Sequence, residues 1–362
     1  MKILDNYSLL KNNTFRINVK ARFFCVARNL ENLSEIRSNP KLNTQPKLFL
    51  GAGANILFTK DFSGLVIKNE FSGLMIVSED NDYVVVEVGG GENWHNLVDW
   101  AVKNNWGGIE NLALIPGTVG AAIVQNIAAY GQNISDVFDS LEAFDMDSGL
   151  IKVFRKKECK LSYRDSYFKT KQGSKYFVFK VRLKLAKKPI INTSYFETGK
   201  TYTVKGSLEQ ELANIAKSPY TIKDIFNAVI SIRTKKLPDI SKIGTAGSFF
   251  KNPVITREKY LQLLKVDPDL QCYPVDKLTY PKLNDPKLTH EDYVKIPGGR
   301  LLDNLDWKGR RLGNAGTHIT QAMAIVNYGS SNPLDIVKIY KQMQQDVIKH
   351  YGIKMEPEVN II

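Results

Sequence analysis

Apolar positions change their period several times along this chain, and each change predicts an element. Leu48-Phe49-Leu50 is a short apolar run, closed by Gly51-Ala52-Gly53-Ala54-Asn55 and followed by Ile56-Leu57-Phe58. Short apolar runs bounded by small residues predict buried strands. Leu65-Val66-Ile67-Lys68, after a Phe62-Ser63-Gly64 turn, predicts another strand, and Tyr83 to Val88 a third, ended by Gly89-Gly90-Gly91. From Phe177 to Leu185 the pattern alternates strictly: Phe177, Phe179, Val181, Leu183 and Leu185 against Lys180, Arg182 and Lys184. That period of two predicts a half-exposed antiparallel strand.

Helical spacing takes over elsewhere. Trp94 to Asn104 places Leu97, Trp100 and Ala101 on one face ahead of Gly107-Gly108. Ser207 to Ala216 and Ile222 to Arg233 carry further helical patterns. The last helix is marked at both ends, with Asn332 as cap, Pro333 in the first turn and Gly352 as stop. Its apolar face is predicted to hold Val337, Tyr340, Met343, Val347 and Tyr351. Asn192 to Lys205 reads as a loop, and Val266 to Pro297, rich in proline, as an irregular insertion. Strand-rich and helix-rich blocks without regular βαβ alternation predict an α+β fold. At 362 residues, two or three domains are expected.

Composition narrows the function classes. No apolar run approaches the ~20 residues that span a bilayer, and Asp5 interrupts the N-terminus before a signal-peptide core could build. Three scattered cysteines, Cys25, Cys159 and Cys272, match neither a metal spacing nor a disulfide framework, so reduced thiols in a cytoplasmic protein are expected. Four scattered histidines give no metal site. The net charge of +13 suits nucleic acid or a polyanionic substrate. The lysines are spread along the chain and no nucleic-acid motif accompanies them, so much of the excess reads as a solvated, lysine-rich surface. With no coiled coil or apolar interface stripe, a monomer is expected.

Four segments could carry chemistry. Gly51–Asn55 lacks the third glycine of a dinucleotide fingerprint, since Ile56 stands there. It reads as an anion nest of backbone N–H groups or as a tight hairpin. Pro116-Gly117-Thr118-Val119-Gly120 continues through small residues to Asn126, Tyr130 and Gly131. It reads as a wall for a flat ligand or as close helix packing, with Gly117 and Gly120 fixing turns. Tyr163-Arg164-Asp165-Ser166 offers a planar guanidinium beside a carboxylate, either a carboxylate-binding fork or a surface ion pair. Ala246-Gly247-Ser248-Phe249-Phe250-Lys251-Asn252-Pro253 sets a hydroxyl among cations that could stabilise its alkoxide, or is a solvated turn. Glu358, near the C-terminus, precedes an apolar, strand-like ending.

Taken in order, these segments resemble the UDP-N-acetylenolpyruvoylglucosamine reductase family of peptidoglycan precursor synthesis, first structural type, with its tyrosine loop. The resemblance runs nearly end to end, including Arg233–Pro238 and Gly313–Gln321. It implies a three-domain α+β flavoprotein: a two-lobed FAD-binding region of the vanillyl-alcohol-oxidase/PCMH type and an α+β substrate-binding domain. Residues 1–69 would form the first lobe, with 353–362 returning to it, 70–235 the second, and 236–352 the substrate domain.

The resemblance further implies FAD held by Gly51, Ala52, Gly53, Ala54, Asn55, Pro116, Gly117, Thr118, Val119, Gly120 and Asn126. NADPH would reduce the flavin, which would then reduce UDP-N-acetylglucosamine enolpyruvate. Ser248 matches the family's proton donor, Arg164 the arginine that polarises the substrate carboxylate, and Glu358 the acidic partner. Tyr130, Tyr195, Lys236, Asn252 and Gln321 match substrate-contacting positions. A flavin oxidase of the same superfamily would keep both glycine-rich walls, but would not need Ser248, Arg164 and Glu358 together.

Overall fold

The computed structural model describes the chain except for residues 192, 194–207, 278, 282–284, 286, 330 and 331. Tyr195 and most of the loop expected around it lie outside the described residues.

The first sheet has the order Leu4–Ser8, Lys20–Ala27, Phe62–Asn69, Lys47–Leu50. Its first pair is antiparallel and the other two are parallel. Phe24 and Val66 point into a core shared with the C-terminal third of the chain. Phe23, Cys25, Leu65 and Ile67, one residue out of phase, enter a different core with Phe144, Phe177 and Phe179. A sheet covered on both faces reads as an unbroken apolar run rather than an alternation. That burial explains the missing period of two in Lys20–Ala27, which the hydrophobic pattern did not single out.

The second sheet has five antiparallel strands in the order Ile151–Arg155, Phe138–Asp145, Tyr176–Ala186, Tyr83–Gly89, Leu74–Glu79. Helices Trp94–Lys103, Val119–Gln125, Leu208–Ile215 and Ile222–Lys236 close its inner face in one apolar core. On Tyr176–Ala186 the expected alternation holds from Lys180 onward, with Val181, Leu183 and Leu185 fully buried. Phe177 and Phe179 enter the core with Phe23, and Val178 between them is buried on the other side, so the start of the strand is covered on both faces.

The C-terminal third pairs Gly244–Ser248, Gln321–Asn327, Ala315–His318 and Arg311–Leu312 in an antiparallel sheet. Helix Pro333–Tyr351 packs on it, capped by the Asn332 side chain and ended by Gly352 in the left-handed region. Its buried stripe is Ile336, Ile339, Tyr340, Met343 and Val347, one position N-terminal of the predicted face at its start. The proline-rich insertion is more regular than expected. Tyr273–Pro274 and Tyr293–Lys295 join Val254–Thr256 in a three-stranded sheet. No helix among the described residues is long and apolar enough to cross a membrane.

The chain ends by crossing back. Asn360–Ile361 pairs in parallel with Ile56–Leu57, directly after the glycine-rich turn. Just before, Phe250 bridges Pro357, and the Glu358 N–H donates to Phe249 O at 2.8 Å. The last residues therefore stitch the glycine turn to the Ser248 segment.

Candidate active site

A cleft of about 540 Å3 opens where these regions meet. One wall is made of backbone. Gly51–Asn55 turns between two short strands, and the N–H groups of Ala52, Gly53 and Ala54 donate to no described residue. Gly53 has φ +66°, and a methyl there would lie 2.1 Å from Asn12 O. Its glycine is required by the packing of the turn on the Asn12–Asn13 backbone, not by a ligand. At Gly51 a methyl would lie 2.5 Å from Thr118 Oγ1, so the turn touches the second glycine-rich segment directly.

Helix Val119–Gln125 begins at this contact. A threonine at the N-cap usually gives its hydroxyl to the first turn. Thr118 makes no such bond; its Oγ1 is buried and without a partner among the described residues, on the cleft wall. Gly120 lies inside the helix and fixes no turn. A methyl there would sit 3.0 Å from Gly90 O and 3.2 Å from Val178 O, so its bareness lets the helix press on the second sheet. The N–H groups of Val119 and Gly120 are already given to Glu92 O and Gly90 O, and the Val119 side chain is fully buried in the core. These two residues back the wall without offering donors to it.

The cleft is also lined by side chains from three distant segments. Arg164 is one of the few non-glycine residues with positive φ, at +53°. Its Nε meets Glu358 Oε1 at 3.0 Å, and its Nη2 donates to Ala128 O at 2.8 Å. Glu358 is carried there by its backbone bond to Phe249, next to Ser248. Arg164, Ser248 and Glu358 all line the cleft. Gly247, before the serine, has φ +73° with open space around it. Ser248 is exposed to the cleft, and its hydroxyl bonds to no described residue.

Other expected site residues play different parts. The Asn55 side chain donates to Glu358 O at 3.3 Å, and Asn360 donates to Asn55 O at 2.9 Å. Asn55 thus tethers the C-terminal segment that carries Glu358. Asn126, left-handed at the helix end, donates to Ser162 O at 2.6 Å and holds the Arg164 loop. Tyr130 bonds to Arg233, a cleft-lining arginine. Lys236, Asn252 and Gln321 lie outside the cleft lining. Asn252 Oδ1 accepts the Gly298 N–H at the start of helix Gly298–Asp303, Gln321 Oε1 accepts the Met323 N–H, and Lys236 O accepts the Thr320 hydroxyl.

Comparisons with known proteins identify the family. Residues 239–362 match the family model for the C-terminal domain of UDP-N-acetylenolpyruvoylglucosamine reductase, and residues 21–154 match an FAD binding domain. The UDP-N-acetylenolpyruvoylglucosamine reductase of Amoebophilus asiaticus is 40% identical over 362 residues, all of both chains. The chain belongs to the UDP-N-acetylenolpyruvoylglucosamine reductase family. The Flavobacterium johnsoniae member is 40% identical over 363 residues, again covering both chains fully. The solved reductase from Thermus caldophilus shares the fold at TM-score 0.63 and 20% identity, covering 99% of this chain and 98% of its own.

The backbone wall fits the reductase's FAD. Free N–H groups at Ala52, Gly53 and Ala54 suit a pyrophosphate, and the orphaned Thr118 hydroxyl awaits a polar partner. The structure also brings further cations to the site. Arg233, from the Arg233–Pro238 segment, and Lys169, which no motif singled out, line the cleft. Lys295, from the insertion, lies 5.0 Å from the Tyr163 ring and 5.4 Å from Tyr273. Burial, helped by the nearby Arg164 guanidinium, pushes its ammonium down to about 8. A lysine in a proline-rich stretch carries no local signal of this; only the fold of the insertion brings it to Arg164.

Proposed function

We propose that this cleft reduces the enolpyruvyl ether of UDP-N-acetylglucosamine enolpyruvate to UDP-N-acetylmuramate, with NADPH as hydride source. The chain is an FAD-dependent oxidoreductase by family. On this reading the two flavin-binding lobes are 1–69 with 353–362, and 70–235; residues 236–352 are the substrate domain. On this reading it works as a monomer. Its place is the cytoplasm, where NADPH is supplied and its free thiols stay reduced.

One observation carries the proposal. Arg164, Glu358 and Ser248, from three remote segments, line the same cleft as the glycine turn, with Arg164 against Glu358. FAD, held against the Gly51–Asn55 turn, would supply the hydride chemistry, passing on the hydride of NADPH so that it reaches the terminal carbon of the substrate double bond. Negative charge then grows on the neighbouring carbon and its carboxylate. Arg164 stabilises that charge with donors fixed in advance by Glu358 and the Ala128 carbonyl. Ser248 gives its hydroxyl proton to the neighbouring carbon; the cations lining the same cleft, Arg164, Lys169 and Arg233, lower the cost of the alkoxide left behind, which regains a proton from water. Tyr130, Tyr195, Lys236, Asn252 and Gln321 contact the nucleotide sugar on this reading. Arg233 and Lys295 add positive potential for its pyrophosphate.

The test is anaerobic. The purified protein is reduced with NADPH and mixed with UDP-N-acetylglucosamine enolpyruvate while the flavin absorbance is followed. Rapid return of the oxidised spectrum is expected. A flavin that reoxidises only when oxygen is admitted would point to an oxidase, and a colourless protein that takes up no FAD would overturn the cofactor site.

A further inference from the structure

We infer that Lys169 is a positioning residue for Arg164, joining the flavin wall to the reaction wall. The inference rests on the function proposed above and extends it to a residue outside the motif.

Arg164 is a bulky residue in the left-handed region, a conformation that costs energy unless its surroundings impose it. The Lys169 ammonium donates to Arg164 O at 3.0 Å and to Gln125 Oε1 at 3.2 Å. Gln125 closes helix Val119–Gln125, whose other end is the Thr118 wall. Two further bonds fasten the same loop to the same helix end: Ser166 Oγ donates to Val124 O at 2.7 Å and Asn126 Nδ2 donates to Ser162 O at 2.6 Å. Those two hold the flanks of the loop. Lys169 alone among these grips the carbonyl of Arg164 itself, at the strained residue. Its side chain also lines the cleft, where Lys251, Asp165, Glu358 and Glu356 are the charged groups that act on it.

A cation is suited to this task. It donates to two acceptors at once, and so ties the Arg164 carbonyl to the end of the helix. A misplaced guanidinium would still bind a carboxylate, yet would miss the charge that grows during hydride addition.

The test uses the intact holoenzyme, with the two half-reactions read separately and flavin content and thermal midpoint as controls. Lys169→Met should slow substrate-driven reoxidation of the NADPH-reduced flavin by about tenfold. Reduction by NADPH, flavin content and thermal midpoint should stay near those of the parent. Placed in an Arg164→Ala background, the same substitution should cost less than about twofold, because nothing is left to position. The full tenfold loss persisting in that background would overturn the inference. So would equal losses in both half-reactions from Lys169→Met and from the gentler Lys169→Gln. A parent enzyme whose reduced flavin ignored the substrate would instead contradict the proposed function, leaving a distinguishable result.

Discussion

The two walls of the cleft are built in opposite ways. On the proposed reading the flavin wall is the backbone of Gly51–Asn55 with the Thr118 hydroxyl of Pro116–Gly120 beside it, two segments that each read as a unit along the chain. The reaction wall is side chain, from Arg164, Ser248 and Glu358, which meet only because the C-terminal segment runs beside Phe249–Lys251. A backbone wall presents the same N–H groups whatever side chains surround it, and it tolerates change wherever a side chain can be small. A side-chain wall depends on each residue, and on distant contacts that hold it in register. Damage to the first wall should therefore appear in flavin binding, and damage to the second in chemistry with the flavin still bound.

The largest expected effect breaks the reaction wall. Arg164→Ala should lower the rate of substrate-driven flavin reoxidation about 10²–10³-fold, the usual loss for one preorganised donor at a developing oxyanion. Flavin content should be retained. If absorbance spectra of the purified variant showed the flavin lost as well, the two walls would not be separable.

The flavin wall is probed by Thr118→Val, which keeps the shape and removes the buried hydroxyl. With no partner among the described residues, that hydroxyl penalises the protein without FAD, and its loss should raise the thermal midpoint of the flavin-free form. The same change should weaken FAD binding about tenfold if the hydroxyl bonds to the cofactor. Opposite signs in the two measurements sharpen the comparison; unchanged FAD affinity would remove Thr118 from the binding wall.

The smallest effect is a pH dependence. The Lys295 ammonium sits at about 8, so it is charged below that pH and neutral above it. As pH rises through about 8, kcat/KM for the anionic substrate should fall, and Lys295→Gln should flatten that limb. The free enzyme's groups govern kcat/KM. A limb that survived the substitution unchanged would assign it to another group.

How much of this was legible in the sequence follows the same division. Strands with one solvent face, such as Tyr176–Ala186, announce themselves by alternation, and the last helix is signposted by Asn332, Pro333 and Gly352. Lys20–Ala27 is covered on both sides and carries no alternation to read. The insertion hid its two strands because they are short and one ends in proline. In the site, the glycine turn and Thr118 segment are contiguous motifs. Ser248, Arg164 and Glu358 needed the family resemblance, since no local pattern links them. The tether by Asn55, the clamp by Lys169 and the approach of Lys295 are contacts between segments far apart in the chain, and only folding creates them.

The measurement that tests the division most directly is Ser248→Ala in both half-reactions, followed by stopped-flow flavin absorbance without oxygen. Reduction by NADPH should proceed as in the parent, because the hydroxyl takes no part in it. Reoxidation by UDP-N-acetylglucosamine enolpyruvate should slow about 10²–10⁴-fold, the range for a lost general acid. Equal slowing of the two halves, or a reoxidation rate unchanged from the parent, would contradict the assignment of proton transfer to Ser248.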